Sequence, residues 1–336
     1  MAETLRIATF NLESLDDRPD VDPPLRDRIA VLRPQLLRLG ADILCLQEVN
    51  GQKPPGGGPR RLLALDRLLA GTPLADFNRV CSLRLAGPPP GPGEARGVDA
   101  VHNLVILSRH PIATSAVVRH DLVPPPTYRP VSADPPSAAP EPVEWDRPIV
   151  CATIAVPGGR RLHVANLHLR APLAAPVAGQ KVDAQTWRSV SGWAEGFFIA
   201  TMKRAGQALE ARMVIDRIFD HEPDALIAVC GDFNAEERQM PLRTLCGDPG
   251  DTGNPALAAR ALMPLERTLP HGARYSVIHG GRPQMLDHVL VSRALHARFR
   301  RVEAHNEGLP DELTDRGPSS HHAPLVAVFG LGHEHE

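Results

Sequence analysis

Aromatic side chains are scarce in this sequence, which holds three Trp, two Tyr and eight Phe in 336 residues. An excess of charge is also missing, since 37 Lys and Arg nearly cancel 39 Asp and Glu and leave a net charge of -2. A chain with neither property has no bulk attraction for phosphate backbones or anionic membranes, although a neutral total can contain a local basic groove. No apolar run approaches the roughly 20 residues that span a bilayer. No charged segment followed by an apolar one opens the chain, so the expectation is a protein without a secretory signal. The five cysteines (Cys45, Cys81, Cys151, Cys230, Cys246) are odd in number, and no CxxC or Cys/His cluster has zinc spacing. They read as reduced residues of a cytoplasmic protein. There is no Walker A loop, no GxSxG elbow and no D-x-H opening of a binuclear phosphatase.

Proline is plentiful, with 35 residues concentrated in GQKPPGGGP (51–59), AGPPPGPGEARG (86–97) and the stretch 123–145. Proline fixes φ and removes a ladder donor, so these read as long surface loops. The segments between them are single strands rather than domain-sized blocks, and the expectation is one domain over 1–336. Short apolar runs stand at 5–10, 42–47, 103–108, 148–156, 161–169, 225–230, 285–292 and 323–329. Helical periodicity covers 25–39 and 197–219, where Phe198, Met202, Ala205, Leu209 and Met213 recur at the spacing of one buried face. Several strand pairs leave no room for a crossover helix, which favours a mixed sheet or two packed sheets over a parallel one.

The apolar runs share a feature at their ends. LRIATF runs into Asn11 and Glu13, ILCLQ into Glu48, LHVANL into His168, and LIAVCG into Asp232 and Asn234. Asp287 opens one late run, while His321 and His322 precede the last. A polar group at a strand end leaves the core and enters whatever lies above the sheet edge. Carboxylate oxygens suit a hard divalent cation, amides and imidazoles can donate to phosphoryl oxygens, and a held acid or base can direct water. Taken singly, each of these residues is equally well a turn or helix cap.

The ordered set TFNLES, LCLQEVN, VANLHLRAP, VCGDFNAEE, MLDHVLVS and SSHHAP resembles the motifs of the endonuclease/exonuclease/phosphatase superfamily over residues 5–329. The resemblance implies an α+β fold, a four-layer α/β/β/α sandwich of two packed mixed sheets flanked by helices. It implies a divalent-metal-dependent phosphoesterase using Mg2+ or Mn2+, with Glu48 as principal metal ligand and Asn11 ordering metal and phosphate. His168 would contact the scissile phosphate, Asp232 would orient or activate water, Asn234 would contact phosphate, and Asp287 would fix the His322 imidazole. Glu13 is a further metal candidate, and Arg147 in WDRPIV is a candidate grip on substrate phosphate. The family's last motif is usually Ser-Asp-His, whereas this chain has Ser320-His321-His322. An imidazole at 321 in place of the aspartate shifts the expected metal preference toward manganese.

The leading expectation is a nuclease or other phosphodiesterase acting on DNA, RNA or a related phosphate ester. A phosphatase or phosphodiesterase of a small phosphorylated metabolite or lipid headgroup is the alternative, and a catalytically idle binding protein the remote one. The segment 177–198, with Trp187 and Trp193, reads as the irregular start of a long helix with both indoles buried. A substrate lid is the competing reading. It lacks the arginine–aromatic alternation of a stacking platform.

Overall fold

Two six-stranded sheets lie face to face in the computed structural model, which describes residues 4–83 and 96–331. The first sheet contains β1 (Thr4–Leu15), β2 (Ile43–Val49), β3 (Asn78–Cys81), β4 (Asn103–Ser108), β15 (Phe299–Ala304) and β16 (Leu325–Gly330), in the order β15-β16-β1-β2-β4-β3. The second contains β5 (Ile112–Val118), β8 (Ile149–Val156), β9 (Arg160–His168), β10 (Leu226–Asp232), β11 (Met263–Pro264) and β14 (Asp287–Val291), in the order β11-β14-β10-β9-β8-β5. Short ribbons, β6 (Thr127–Tyr128) with β7 (Glu141–Pro142) and β12 (Val277–His279) with β13 (Arg282–Gln284), complete the strands. Each large sheet is mixed. β1 and β2 run parallel at the centre of one, β9 and β10 at the centre of the other, and the flanking pairs are antiparallel.

The layers follow from the period of two along each strand. In β10, Ala228 and Cys230 face the space between the sheets, where they meet Ile7, Cys45, Ile106 and Val164. Ile227 and Val229 face outward and pack beneath α3 (Val190–His221) and α4 (Met240–Cys246). The opposite outer face places Phe10, Leu44 and Leu46 under α1 (Leu25–Arg38) and α2 (Leu63–Leu69). The order of layers is therefore helix, sheet, sheet, helix, and the central strands are buried on both faces, as continuous apolar runs require. All five cysteines are free. Among the described residues, no helix is long and apolar enough to cross a membrane.

One polar tie crosses the inter-sheet core. Gln47 Nε2 donates to Asn166 Oδ1 at 2.7 Å, and Asn166 Nδ2 donates to the carbonyls of Leu46 and Val105, each at 2.9 Å. Breaking it would leave buried amides unpaired, at about 1–3 kcal/mol each. The tie also fixes how the two sheets are aligned, one residue before Glu48 and two before His168.

Three expectations need correction. The long helix begins at Val190, two turns earlier than its periodicity suggested, because Ser189 caps it by accepting from Gly192 N. Phe198, Leu209 and Met213 do not form its buried face; they are exposed, and Ala208, Ala211, Ile215 and Phe219 face the sheet instead. Heavier side chains repeated at the right spacing on the wrong side of the helix. Trp193 is likewise exposed and Trp187 only partly buried. The edge strands β5 and β15 were not expected, since IATSAVV and FRRVEA have no continuous aliphatic run. Of the proline-rich stretches, 51–59 is irregular, 123–145 contains the β6–β7 ribbon, and 86–95 of the stretch 86–97 lies outside the described residues.

Candidate active site

The parallel pairing of β1 and β2 keeps register from Ile7 opposite Ile43 to Asn11 opposite Gln47, then resumes at Leu15 opposite Val49. Three residues of β1 between those points thus oppose Glu48 alone, and such a bulge re-aims side chains at a sheet edge. Glu13, Ser14 and Glu48 have φ of 47°, 56° and 57°, and His102 and Asn234 have 56° and 47°. The left-handed region is unfavourable for residues with a Cβ, and such strain concentrates at functional sites. Five of these positions meet at one end of the sandwich.

Glu48 stands at the centre. Its Oε2 accepts from Ser14 Oγ at 3.0 Å and lies 3.5 Å from His102 Nδ1; its Oε1 lies 3.4 Å from Asn11 Nδ2 and 3.7 Å from His168 Nε2. From the second sheet, Asp232 Oδ2 lies 3.0 Å from Asn11 Nδ2, 3.3 Å from His168 Nε2 and 3.9 Å from His322 Nε2. Asn234 follows in a turn rather than along the strand. Its backbone N–H donates to Asp232 Oδ1 at 2.8 Å, and its Nδ2 reaches Asp232 Oδ2 at 3.2 Å. Phe233 between them is fully buried beneath. A Cβ at Gly231 would sit 1.9 Å from the Leu167 carbonyl, so β10 can approach β9 here only without a side chain. Asp287, directly opposite Asp232 across the β10–β14 pair, accepts from His322 Nδ1 at 2.8 Å and so turns Nε2 toward Asp232. Ser320 links the last loop to the first strand by donating to the Asn11 carbonyl at 2.7 Å and accepting from His322 N at 3.1 Å.

Asn11 is oriented by the bulge itself. Its Oδ1 accepts the Glu13 backbone N–H at 2.8 Å, which leaves its N–H side facing both carboxylates. Its amide N–H group thus donates to Asp232 and lies beside Glu48. Glu13 and His321 pair with each other at 2.7 Å, and His321 Nε2 reaches the Asp315 carbonyl at 3.3 Å. Neither belongs to the two groups of ligand atoms that converge within 4.8 Å among the described residues, which are Glu48–His102–His168 and Asp232–Asp287–His322. Arg147 enters from the start of β8 with its Nη2 3.3 Å from His102 Nδ1. The apolar cavity of about 450 Å3 lined by Cys151, Ile215 and Ile218 lies elsewhere, under the other half of α3, and contains none of these groups.

His102, Ser14, Ser320 and Arg28 were not expected from the sequence. His102 stands before β4, which runs antiparallel to β2, so the start of β4 lies beside the end of β2. The signal used for the site, a polar residue at the edge of an apolar run, was present in HNLVILS at the opposite end of the run. Arg28 is a brace on α1 that donates to the Leu12 and Glu13 carbonyls at 2.7 Å each and holds the bulge.

The charges divide by role. Burial alone would raise the Glu48 carboxyl, but the hydrogen bond from His102 and the charges of His168, His102 and Arg147 hold it well below the usual range. Burial together with Arg147 drives His168 well below the ordinary imidazole value. A metal site needs an ionised carboxylate and a neutral imidazole, and Glu48 with His168 meets that chemistry. Among the described residues, the buried Nδ1 of His168 has no hydrogen-bond partner. Burial pushes Asp232 up to about 7; Asp287 and Glu48 push the same way, against His322 and the Asn234 N–H. Burial opposes charge on His322, yet Asp287 and Asp232 overcome it and raise it to about 10.

A sequence profile described as the Endonuclease/Exonuclease/phosphatase family matches residues 8–321. The chain belongs to the endonuclease/exonuclease/phosphatase family. Members of this family are generally metal-dependent hydrolases. Among solved structures, an endonuclease/exonuclease/phosphatase family protein from Bacteroides thetaiotaomicron is 15% identical, with 100% of this chain and 99% of that one covered at a TM-score of 0.57. An endonuclease/exonuclease/phosphatase from Beutenbergia cavernae is 20% identical over 98% of this chain and 72% of that one, at 0.53. The catalytic domain of human Nocturnin, solved with a bound sulfate anion, is 16% identical over 97% and 94%, at 0.54. At such identities the likeness carries the fold alone, a sandwich of two mixed sheets flanked by helices. No curated protein matches the sequence.

Proposed function

We propose that this family member hydrolyses phosphodiester bonds by in-line attack of water on phosphorus, with nucleic acid as its substrate. The reading is carried by one observation: Glu48 and Asn11 of one sheet converge with His168, Asp232 and Asn234 of the other. Glu48, His102 and His168 would hold a divalent cation, Mg2+ or Mn2+. Two imidazoles beside a single carboxylate favour the softer Mn2+, so the manganese preference rests on these two residues and not on His321. The bound cation would supply positive charge against the phosphoryl oxygens.

The remaining work falls to the chain itself. Asp232, held by Asn11, Asn234 and the edge of β10, orients the attacking water. With a carboxyl near 7, it can also accept the water's proton at neutral pH. His322, kept protonated between Asp287 and Asp232, donates to the phosphoryl or leaving oxygen. Arg147 and Asn234 add donors where negative charge grows in the transition state.

A metal-by-substrate panel tests this. Purified protein is offered plasmid, single-stranded and abasic DNA, RNA, bis-p-nitrophenyl phosphate and sugar or inositol phosphates, each with magnesium, manganese or calcium. Phosphodiester cleavage is expected, fastest with manganese, and Asp232→Ala should lower it roughly a thousandfold. Full activity in that variant would end the proposal. His102→Ala should raise the metal concentration needed for half-maximal rate by about 10- to 100-fold, read from a metal titration. An unchanged titration removes His102 from the metal set.

A further inference from the structure

Helix α3 extends past the edge of the sheet it covers. Its C-terminal end leads into β10, and Arg204 Nη1 donates to the Asn234 carbonyl at 2.7 Å, just beyond the end of that strand. Residues upstream of Arg204 therefore stand above the strand ends, on the side of the candidate site. At 1.5 Å per residue, Phe197 and Trp193 lie about 10 and 16 Å further along the axis. At 3.6 residues per turn, both share with Arg204 the roughly 60° sector that holds Ala208, Ala211 and Ile215, the residues packed on the sheet. Among the described residues, no sheet lies beneath them at this level. Trp193 and Phe197 are 46% and 39% exposed, and their rings stack at 5.8 Å between centroids with 27° between planes.

This surface is continuous with the site. Gln207, one turn below, donates to the carbonyls of Arg147 and His168 at 3.1 and 3.4 Å. The chain leaving His168 climbs beside the helix, presents exposed Leu173, and bonds through Ala175 N to the Gly196 carbonyl at 2.8 Å. Between the rings and the carboxylates lies positive charge. Arg170 and Lys203 share the one carboxylate of Asp146, and Arg204 donates to a carbonyl oxygen. Two flat apolar rings, cations at their foot and a phosphoester site a few nucleotides away fit an unpaired strand, because every base has a π-face to stack. Exposed Val190, one turn before Trp193 in the same sector, extends the patch, but four apolar side chains fall far short of a stable protein interface of about 800 Å2 per partner.

We propose that Trp193 and Phe197 form a stacking platform for the bases of unpaired nucleic acid whose scissile phosphate lies at Glu48 and Asp232. The proposal rests on the phosphodiesterase reading above and names its substrate class. The sequence reading missed it because the aromatics sit at i and i+4 without adjacent arginines. The cations come from Arg170, just after β9, and from Lys203 and Arg204 further along the helix.

The test uses the full-length Asp232→Ala protein, so that binding is read without cleavage. Fluorescence anisotropy compares labelled oligothymidylate with an abasic deoxyribose-phosphate oligomer of equal length. The base-bearing oligomer should bind about ten-fold tighter. The added double change Trp193→Ala and Phe197→Ala should bring the ratio near one, while Trp193→Phe keeps most of it. Equal affinities in the parent, or a ratio the double variant does not move, would overturn the platform. So would vesicles of phosphatidylglycerol that bind more tightly than the oligomer and lose that binding in the double variant. Failure of the hydrolysis reading looks different. The unmutated protein would cleave no phosphodiester with any metal while base-dependent binding persists.

Discussion

The two halves of α3 are built on one helical face and meet different fates. In the C-terminal half, Ala208, Ala211, Ile215 and Phe219 are buried against the outer side of the second sheet. In the N-terminal half, Trp193 and Phe197 occupy the same sector and stand open. Nothing in the local sequence separates them, since both halves are apolar at suitable spacing. What differs is where the strands beneath stop. The hydrophobic effect rewards area removed from water, so a side chain contributes to stability only where another layer exists to cover it. Where the layer ends, the same residue type becomes available to a ligand.

That contrast can be broken by substitution. Phe219→Ala should have the largest effect, about 3–5 kcal/mol of destabilisation, because it opens a cavity under a rigid sheet. Denaturant unfolding reads it, and a loss under 1 kcal/mol would mean that the C-terminal half is not the anchored one. Gly206→Ala probes the boundary between the halves. A Cβ there would lie 2.3 Å from Cζ3 of Trp145, which is fully buried, so the indole and its loop must shift. The expected cost is about 1–3 kcal/mol, with cleavage slowed because Gln207 next door holds the Arg147 carbonyl. Unchanged stability together with unchanged rate would show the loop to be loosely held. Trp193→Ala should be the smallest, within about 0.5 kcal/mol of the parent by the same unfolding measurement. A loss as large as that of Phe219→Ala would erase the comparison.

A second contrast lies between the ends of strands and their beginnings. Glu48, His168 and Asp232 close the runs of β2, β9 and β10, and the change from aliphatic to polar was visible in the chain. His102 opens β4 and reaches the same place because β4 is antiparallel to β2. Asp287 and His322, at or before the starts of the antiparallel strands β14 and β16, were legible in the same way, whereas His102 before β4 was passed over. Ser14 and Ser320 were illegible for another reason. Serine is ordinary in turns, and only the bulge at 12–14 brings the Ser14 hydroxyl to Glu48. The departure at His321 was visible in the motif; there the imidazole pairs with Glu13, while His102 and His168 stand beside Glu48.

The order of apolar runs and polar ends, read without coordinates, determined the family, the mixed sheets and most of the groups that meet in the cleft. These are local properties, because a strand's period and a polar residue at its edge are written within a few neighbouring positions. Tertiary structure alone decided which face of α3 is covered, which carboxylate pairs with which imidazole, and where the two rings stand in relation to the candidate site. Each of those depends on distances between residues remote in sequence, and such distances are set only when the two sheets pack and the strands reach their ends.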